Sequence, residues 1–489
     1  MARWGNLVIG VLSLGIIALS AFMLERERAG LTITDLAVGT TPVTLYQQPG
    51  SDGPLLVVAH GFAGSRQLMQ AYSLTLAQSG YLVLAFDFEG HGRNPVPMSG
   101  DVDAIEGTTQ RLVDQTLQVL AAGRDLPEVG SDAGPGVALL GHSMATDIIA
   151  RAAFADGAVD AGVGISMCSQ AVTADQPARL LVITGQWEGM LRTAALQMAR
   201  LVDPAAVEGA TVTAGDVTRR VVVAPGVEHV GVLYSATGLR EARAWLDASF
   251  KRESAGPVVT PGLWILLLLA GIVVLFRPLA GLLPVGVASP EVPVRRFWAA
   301  VLVPALVVPL VAVLVYRPFL PVLVADYLMI HLALYGAVQL AILRVWPLPR
   351  VVWVAALALV VWGLAVFGFA IDRYAASFVP TVQRMGIIAA LGLGTVPFML
   401  ADSMVAVGGW RRLVARLMFM ASLTAAAFMD LERLLFVLII LPVIVLSFLV
   451  LGPLGAWVAR KSGAGAAGLG LGIILAWALG VSFPLFVAG

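Results

Sequence analysis

From Pro257 onward the chain carries one apolar segment after another, and this constrains its fold more than any other feature. Eight runs follow, at about 258–276, 297–316, 322–343, 351–371, 385–409, 413–430, 434–458 and 466–487, with short loops between them. A bilayer core is about 30 Å thick, and a helix rising about 1.5 Å per residue crosses it in about 20 residues. A spanning segment must satisfy its own backbone groups, so these runs predict an all-α transmembrane bundle.

A ninth run, Gly5 to Leu24, follows Arg3 and Trp4 near the N-terminus. A cleaved signal peptide has a shorter apolar region, about 7–15 residues, and ends at a small-x-small site. Here Phe22-Met23-Leu24 runs straight into Glu25-Arg26-Glu27-Arg28, which reads as an uncleaved signal anchor. The expected organisation is an anchor over 1–28, a water-soluble domain over 29–256, and a polytopic membrane domain over 257–489.

The charges agree with this division. The whole chain has 31 acidic and 31 basic residues. Residues 25–256 hold 25 of the acids and only 16 of the bases, so a mildly acidic domain is fused to a basic membrane domain. No basic patch fit to grip a phosphate backbone occurs in the soluble domain, and nucleic acid is not an expected partner. Ten basic residues fall in one set of alternate loops, Arg277, Arg295, Arg296, Arg344, Arg350, Arg411, Arg412, Arg416, Arg460 and Lys461. The opposite loops hold four: Arg317, Arg373, Arg384 and Arg433. The richer set belongs on the cytoplasmic side, which places the soluble domain in a periplasm or its equivalent. With one cysteine, Cys168, the chain has no internal disulfide framework and no cysteine-built metal site.

The soluble segment alternates β-branched runs with helical stretches. Strands are expected at 55–59, 81–86, 137–140, 162–165, 180–184 and 220–223, with helices at about 66–79, 104–123, 145–154, 190–202 and 238–250. Continuous apolar strands between helices indicate a parallel sheet covered on both faces.

Strand 137–140 enters Gly141-His142-Ser143-Met144-Ala145, and a helix follows. A serine on such a turn holds its hydroxyl exposed, and the helix aims N–H groups at developing negative charge. Strand 55–59 ends in His60-Gly61-Phe62, whose peptide N–H at Phe62 can join that of Met144 as an oxyanion hole. Strand 220–223 leads to Glu228-His229, which offers a general base. The turn after strand 180–184, Gly185-Gln186-Trp187-Glu188-Gly189, supplies Glu188 to orient His229.

These pieces, with Asp87-Phe88-Glu89-Gly90-His91-Gly92, resemble the α/β-hydrolases of the esterase, lipase and serine-peptidase type over about residues 40–250. The resemblance implies an eight-stranded, mostly parallel sheet and acyl-enzyme chemistry through Ser143 and His229. It implies a structural role for the Asp87–His91 turn. Ala145 stands where the family's final glycine falls, and Glu188 where aspartate is commoner. His60, Gly61 and His142 flank the site. The segment 167–179 is too short for a helical lid, so an open cleft is expected, or one covered by outer loops of the membrane domain.

Within the spans, Asp326, His331, Gln339 and Asp402 are candidates for function or for interhelical hydrogen bonding. Asp372, Asp430 and Glu432 are expected to be solvated at outer ends, and the 463–468 glycine-alanine run to form a turn.

The expectation is a membrane-integral serine hydrolase acting on a lipidic ester or thioester, with no metal and no organic cofactor. Two alternatives stay open: an acyltransferase using the same triad, and a transporter or complex subunit whose hydrolase-like domain only binds.

Overall fold

The computed structural model describes residues 2–101, 105–129, 136–287, 291–344 and 351–487. Arg350, counted among the basic loop residues, lies outside them, as does the first residue of the helix expected from 104. One sheet contains β1 (Thr32–Val38), β2 (Thr41–Gln47), β3 (Leu55–Ala59), β4 (Leu82–Phe86) and β5 (Val137–His142). It continues with β6 (Ala161–Ile165), β7 (Arg179–Gly185), β8 (Thr211–Ala214) and β9 (Val217–Ala224). The spatial order is β1-β2-β4-β3-β5-β6-β7-β9-β8. The run from β4 to β9 is parallel throughout, while β1, β2 and β8 pair antiparallel at the two edges.

Successive residues of β3 alternate between two cores. Leu56 and Val58 pack with helices Gln70–Gln78 and Ala236–Ser249, and Leu55 and Val57 with helices Gln110–Arg124 and Ala145–Asp156. Because both faces are covered, the central strands have no polar side and read as continuous apolar runs.

The sheet has nine strands rather than eight. β8 is a four-residue arm folded back on β9 and mostly exposed. It is illegible as a strand because Thr211-Val212-Thr213-Ala214 buries almost nothing. β1 and β2 also go beyond the strands expected from the sequence: β1 is exposed along most of its length, and its register is set by a two-residue turn at Gly39-Thr40, where Gly39 has φ 59°.

Nine described helices are long and apolar enough to cross a membrane. They are Trp4–Arg28, Gly262–Ala280, Val294–Val315, Ala325–Leu343, Trp353–Tyr374, Val382–Val405, Gly409–Met429, Leu431–Val450 and Ala464–Ser482. The run expected as one span over 434–458 is broken. A new helix, Gly452–Ser462, starts at Gly452-Pro453, where proline lacks the N–H that would continue the ladder. The 463–468 run is not a turn: only Gly463, at φ 93°, bends, and the rest opens the last helix. Its small residues let backbones approach closely. A Cβ on Gly468 would lie 2.5 Å from Leu400 Cα, and one on Gly472 2.6 Å from Val396 Cα.

The tail after the last helix returns to the sheet domain. Leu485 N–H donates to the Gly90 carbonyl at 2.8 Å, Met98 N–H to the Leu485 carbonyl at 2.8 Å, and Val487 N–H to the Met98 carbonyl at 2.8 Å. The first helix also ends against that domain, through Arg28 on Gln70. Eight of the long apolar helices lie in the chain between these two returns to the sheet domain.

Candidate active site

Ser143 lies on the turn between β5 and helix Ala145–Asp156, with φ 52°. A non-glycine residue there is strained, and the turn holds it in place: Ser143 N–H donates to the Ile165 carbonyl at 2.9 Å, and Thr146 Oγ1 donates to the Ser143 carbonyl at 2.6 Å. Gly141 has no room for a side chain, since a Cβ would meet the Ala145 carbonyl oxygen at 2.9 Å. Ala145 itself is fully buried and fits where the resemblance would place glycine.

The structure brings Ser143, His229 and Glu188 together from three strand ends. His229 Nε2 lies 2.9 Å from Ser143 Oγ, and His229 Nδ1 lies 2.6 Å from Glu188 Oε1. A carboxylate only accepts, so Nδ1 carries the proton, and Nε2 is free to accept from the serine hydroxyl. Glu188 is held by its second oxygen, which accepts from Gly185 N–H at 2.5 Å and from Ser166 Oγ at 2.9 Å. Burial works against its charge. The hydrogen bonds from His229, Gly185 and Ser166 outweigh burial and hold its carboxyl below the usual range. Ser166 is not among the residues expected from the sequence. Like Ser143 it has φ 52°, and nothing in the local sequence marks it.

Gly61 sits against the serine: a Cβ there would be 2.9 Å from Ser143 Cβ and 2.9 Å from His142 Nδ1. Neither the Phe62 nor the Met144 amide donates to another group among the described residues, so both N–H groups remain available. His142 packs its ring against that of His229, 4.8 Å between centroids, and faces the His229 carbonyl through Nε2 at 3.0 Å. Only an N–H can face a carbonyl, so Nε2 carries a proton, and burial, which pushes the His142 pKa down to about 3, keeps the ring neutral. His60 is neutral for a similar reason, with Nδ1 facing the Gly61 carbonyl at 2.8 Å and Nε2 accepting from Phe88 N–H at 3.1 Å.

The Asp87 turn is structural. Its carboxylate accepts from Arg66 N–H at 2.8 Å, from the Arg66 guanidinium and from Arg93 N–H at 3.0 Å. His91 lies between this turn and the site, edge-on to the Phe62 ring at 5.7 Å.

No helix forms between β6 and β7. Instead the bundle of long apolar helices packs against the Phe62 loop. The Phe62 ring meets that of Phe436, from helix Leu431–Val450, at 5.3 Å, and Leu323 joins Phe62 and Met144 in the same apolar cluster. Arg384, fully buried at the start of helix Val382–Val405, donates to the Gly90 carbonyl at 2.7 Å and to the Gly480 carbonyl at 2.9 Å. Next to Glu188 in the chain, Trp187 and Met190 are bare, 68% and 88% exposed.

The candidates inside the spans are all hydrogen-bonded. Asp326 accepts from Tyr316 Oη and from the Phe319 and Tyr327 amides, so it caps a buried corner rather than facing water. His331 bridges Tyr327 Oη and Ser422 Oγ, Gln339 donates to the Ala300 carbonyl, and Asp402 pairs with Arg416 at 3.2 Å. Asp372, expected to be solvated, is half-buried and pairs with Arg93. Asp430 caps its helix and pairs with Arg433, and Glu432 is exposed. No group of three or more metal-ligating side chains placed to hold an ion occurs among the described residues.

Residues 52–206 match the family model described as serine aminopeptidase, S33. With the strand order, this makes the sheet domain an α/β-hydrolase domain. The chain joins that domain to a bundle of long apolar helices. None of the curated proteins matches it. Among solved structures it is similar to a predicted CIB-like hydrolase from Thermoplasma acidophilum, at 15% identity over 45% of this chain and 98% of that one, TM-score 0.35. It is similar to the dienelactone hydrolase of Anabaena variabilis at 14% identity, over 45% and 98%, TM-score 0.34. A bacterial membrane phospholipase A is similar at 16% identity, over 51% and 99%, TM-score 0.33.

Proposed function

We propose that the protein is a membrane-integral serine hydrolase that cleaves a lipidic ester or thioester outside the cytoplasmic membrane. The observation that carries this reading is the continuous line Ser143 Oγ, His229 Nε2, His229 Nδ1, Glu188 Oε1, with steps of 2.9 and 2.6 Å.

Ser143 Oγ attacks the acyl carbonyl while His229 Nε2 takes its proton. Glu188 keeps the imidazole in the required tautomer and stabilises it once charged. The oxyanion is bound by the Phe62 and Met144 amides. His229 then gives the proton to the departing alkoxide or thiolate, which leaves an acyl-Ser143 ester. Water, deprotonated by His229, releases the acid and restores the serine. Transfer of the acyl group to an alcohol or amine acceptor is the close variant.

Two features support a lipidic substrate. The Phe62 loop packs on Phe436 of an apolar helix, and Trp187 and Met190, next to Glu188 in the chain, are bare. The excess of basic residues in the opposite loops supports placing the hydrolase domain outside the cytoplasmic membrane.

The test is labelling of the detergent-purified chain with a fluorophosphonate, beside Ser143→Ala and His229→Ala. Labelling confined to the unaltered chain is expected, followed by turnover of lipid esters. A folded chain that takes no label would overturn the reading.

A further inference from the structure

A second polar space lies where the sheet domain meets the membrane helices, and none of Ser143, His229 and Glu188 lines it. It is a cavity of about 540 Å³, walled by the end of the first helix, the β1–β2 hairpin, the start of helix Gln70–Gln78 and the end of the Trp353–Tyr374 span. Four guanidinium groups face it, from Arg28, Arg66, Arg93 and Arg373, and three carboxylates, from Glu25, Asp35 and Asp372.

Most of these charges are already matched. Arg373 binds Glu25 through two contacts of 2.6 and 2.9 Å, Arg93 pairs with Asp372, and Arg66 with buried Asp87. Arg28 is different. It donates to the Gln70 amide oxygen at 2.7 Å, and its carboxylate neighbour Glu25 is 3.9 Å away. Asp35 is the least committed acid: its side chain is 68% exposed, with Arg66 at 3.5 Å and the Thr44 hydroxyl at 2.7 Å. Beside them, buried Gln67 lines the cavity with an Oε1 that has no hydrogen-bond partner among the described residues. The wall therefore offers a spare cation, a spare anion and an unmet acceptor.

Height in the bilayer selects the ligand. Leu24 is the last apolar residue of the first helix, and Arg28 lies four residues, or about 6 Å, beyond it. The headgroup layer is about 5–8 Å deep on each side of the hydrocarbon core. Asp372 and Arg373 end another apolar span at the same cavity. A site at that level that presents both signs of charge suits a ligand carrying both.

We infer that this cavity binds the zwitterionic headgroup of a phospholipid, its phosphate turned to Arg28 and its ammonium to Asp35. Its occupancy does not depend on the chemistry proposed for Ser143. Phosphate alone would satisfy Arg28 but leave Asp35 unmatched, and an anionic headgroup would meet Asp35 as a like charge.

Native mass spectrometry of the full chain in detergent tests this, with phosphatidylethanolamine, phosphatidylglycerol, glycerophosphoethanolamine and inorganic phosphate as probes. The chain is expected to retain phosphatidylethanolamine at least fivefold over phosphatidylglycerol. Arg28→Gln and Asp35→Asn should each lower that adduct at least fivefold, while Arg28→Lys and the distant Arg277→Gln keep most of it. Thermal melts establish which variants are folded, and exposed Asp35 gives a reading even if Arg28→Gln does not fold. Equal retention in the unaltered chain and Asp35→Asn, or no preference between the two lipids, would overturn the inference. Displacement by millimolar inorganic phosphate or glycerophosphoethanolamine would also overturn it, because a soluble anion or headgroup would then be the ligand.

Discussion

The ring of Phe62 and the ring of Phe436 stand 5.3 Å apart, tilted by 40°. The first belongs to the loop that carries a proposed oxyanion amide, the second to a helix apolar enough to cross a membrane. Arg384 on the Gly90 carbonyl and Leu485 paired to Gly90 and Met98 extend the same contact. The bundle of long apolar helices thus packs against the loop beside Ser143.

The first prediction concerns Ser143, His229 and Glu188. Ser143→Ala and His229→Ala should each lower kcat for an activated lipid ester by at least about 10⁴-fold. The double variant should lose little more, because the two groups act as a unit. Glu188→Gln keeps the shape but cannot fix the tautomer, and a loss of about 10⁴-fold is expected. Glu188→Asp should retain more activity than Glu188→Gln. Steady-state kinetics in detergent micelles decide this, and additive losses in the double variant would contradict the arrangement.

The second prediction follows from Gly61. A methyl group there would crowd Ser143 Cβ and His142 Nδ1, each at 2.9 Å, and the loop would have to move. Overpacking of this kind costs about 1–3 kcal/mol, which a domain of this size can absorb. The displaced Phe62 amide can no longer meet the oxyanion, a loss of about 10²–10³-fold in kcat. Gly61→Ala should therefore be folded and poorly active. A variant with full kcat would place the oxyanion hole elsewhere.

What is legible in the sequence follows a physical pattern. The six central strands are readable because most of their residues are buried on both faces, which leaves each with a mostly apolar run. Ser143, His229 and Glu188 are readable because each follows one of those strands at a turn. β1 and β8 are not, since they bury too little to leave an apolar signal. Ser166 escapes notice because its role arises from its left-handed conformation, which the sequence does not announce. Arg384 and the 483–487 tail escape it for another reason. Their partners lie nearly 300 and 400 residues away in the chain, and no local spacing records such a contact.

The third prediction tests the packing of the helices against that loop. Replacing Arg384 by Met removes one of the two donors to the buried Gly90 carbonyl and leaves it only the Leu485 N–H. The loop carrying His91, which packs on Phe62, should loosen. A drop of about tenfold in kcat is expected, with the fluorophosphonate label on Ser143 slowed in proportion. Removing residues 483–489 should act in the same direction through Met98 and Gly90. Unchanged labelling rates in both variants would show that the bundle of apolar helices does not position the site.

The fourth prediction concerns acid. His142 is buried as the neutral tautomer with its pKa pushed down to about 3, and burial lowers His60 and His91 as well. In the unfolded chain these rings take a proton near pH 6.5. Between about pH 6.5 and pH 3 the unfolded state therefore holds more protons than the folded one, so stability falls as pH falls through that window. For His142 the slope approaches about 1.4 kcal/mol per pH unit, and the loss from this group levels off below about pH 3. Thermal melts of the purified chain should shift steadily downward from pH 7 to pH 4.5. His142→Gln keeps a donor for the His229 carbonyl and cannot be protonated, so its melts should fall less steeply over the same range. Parallel curves for the two proteins would mean that His142 is already charged in the folded state, and its assignment as a neutral ring would be wrong.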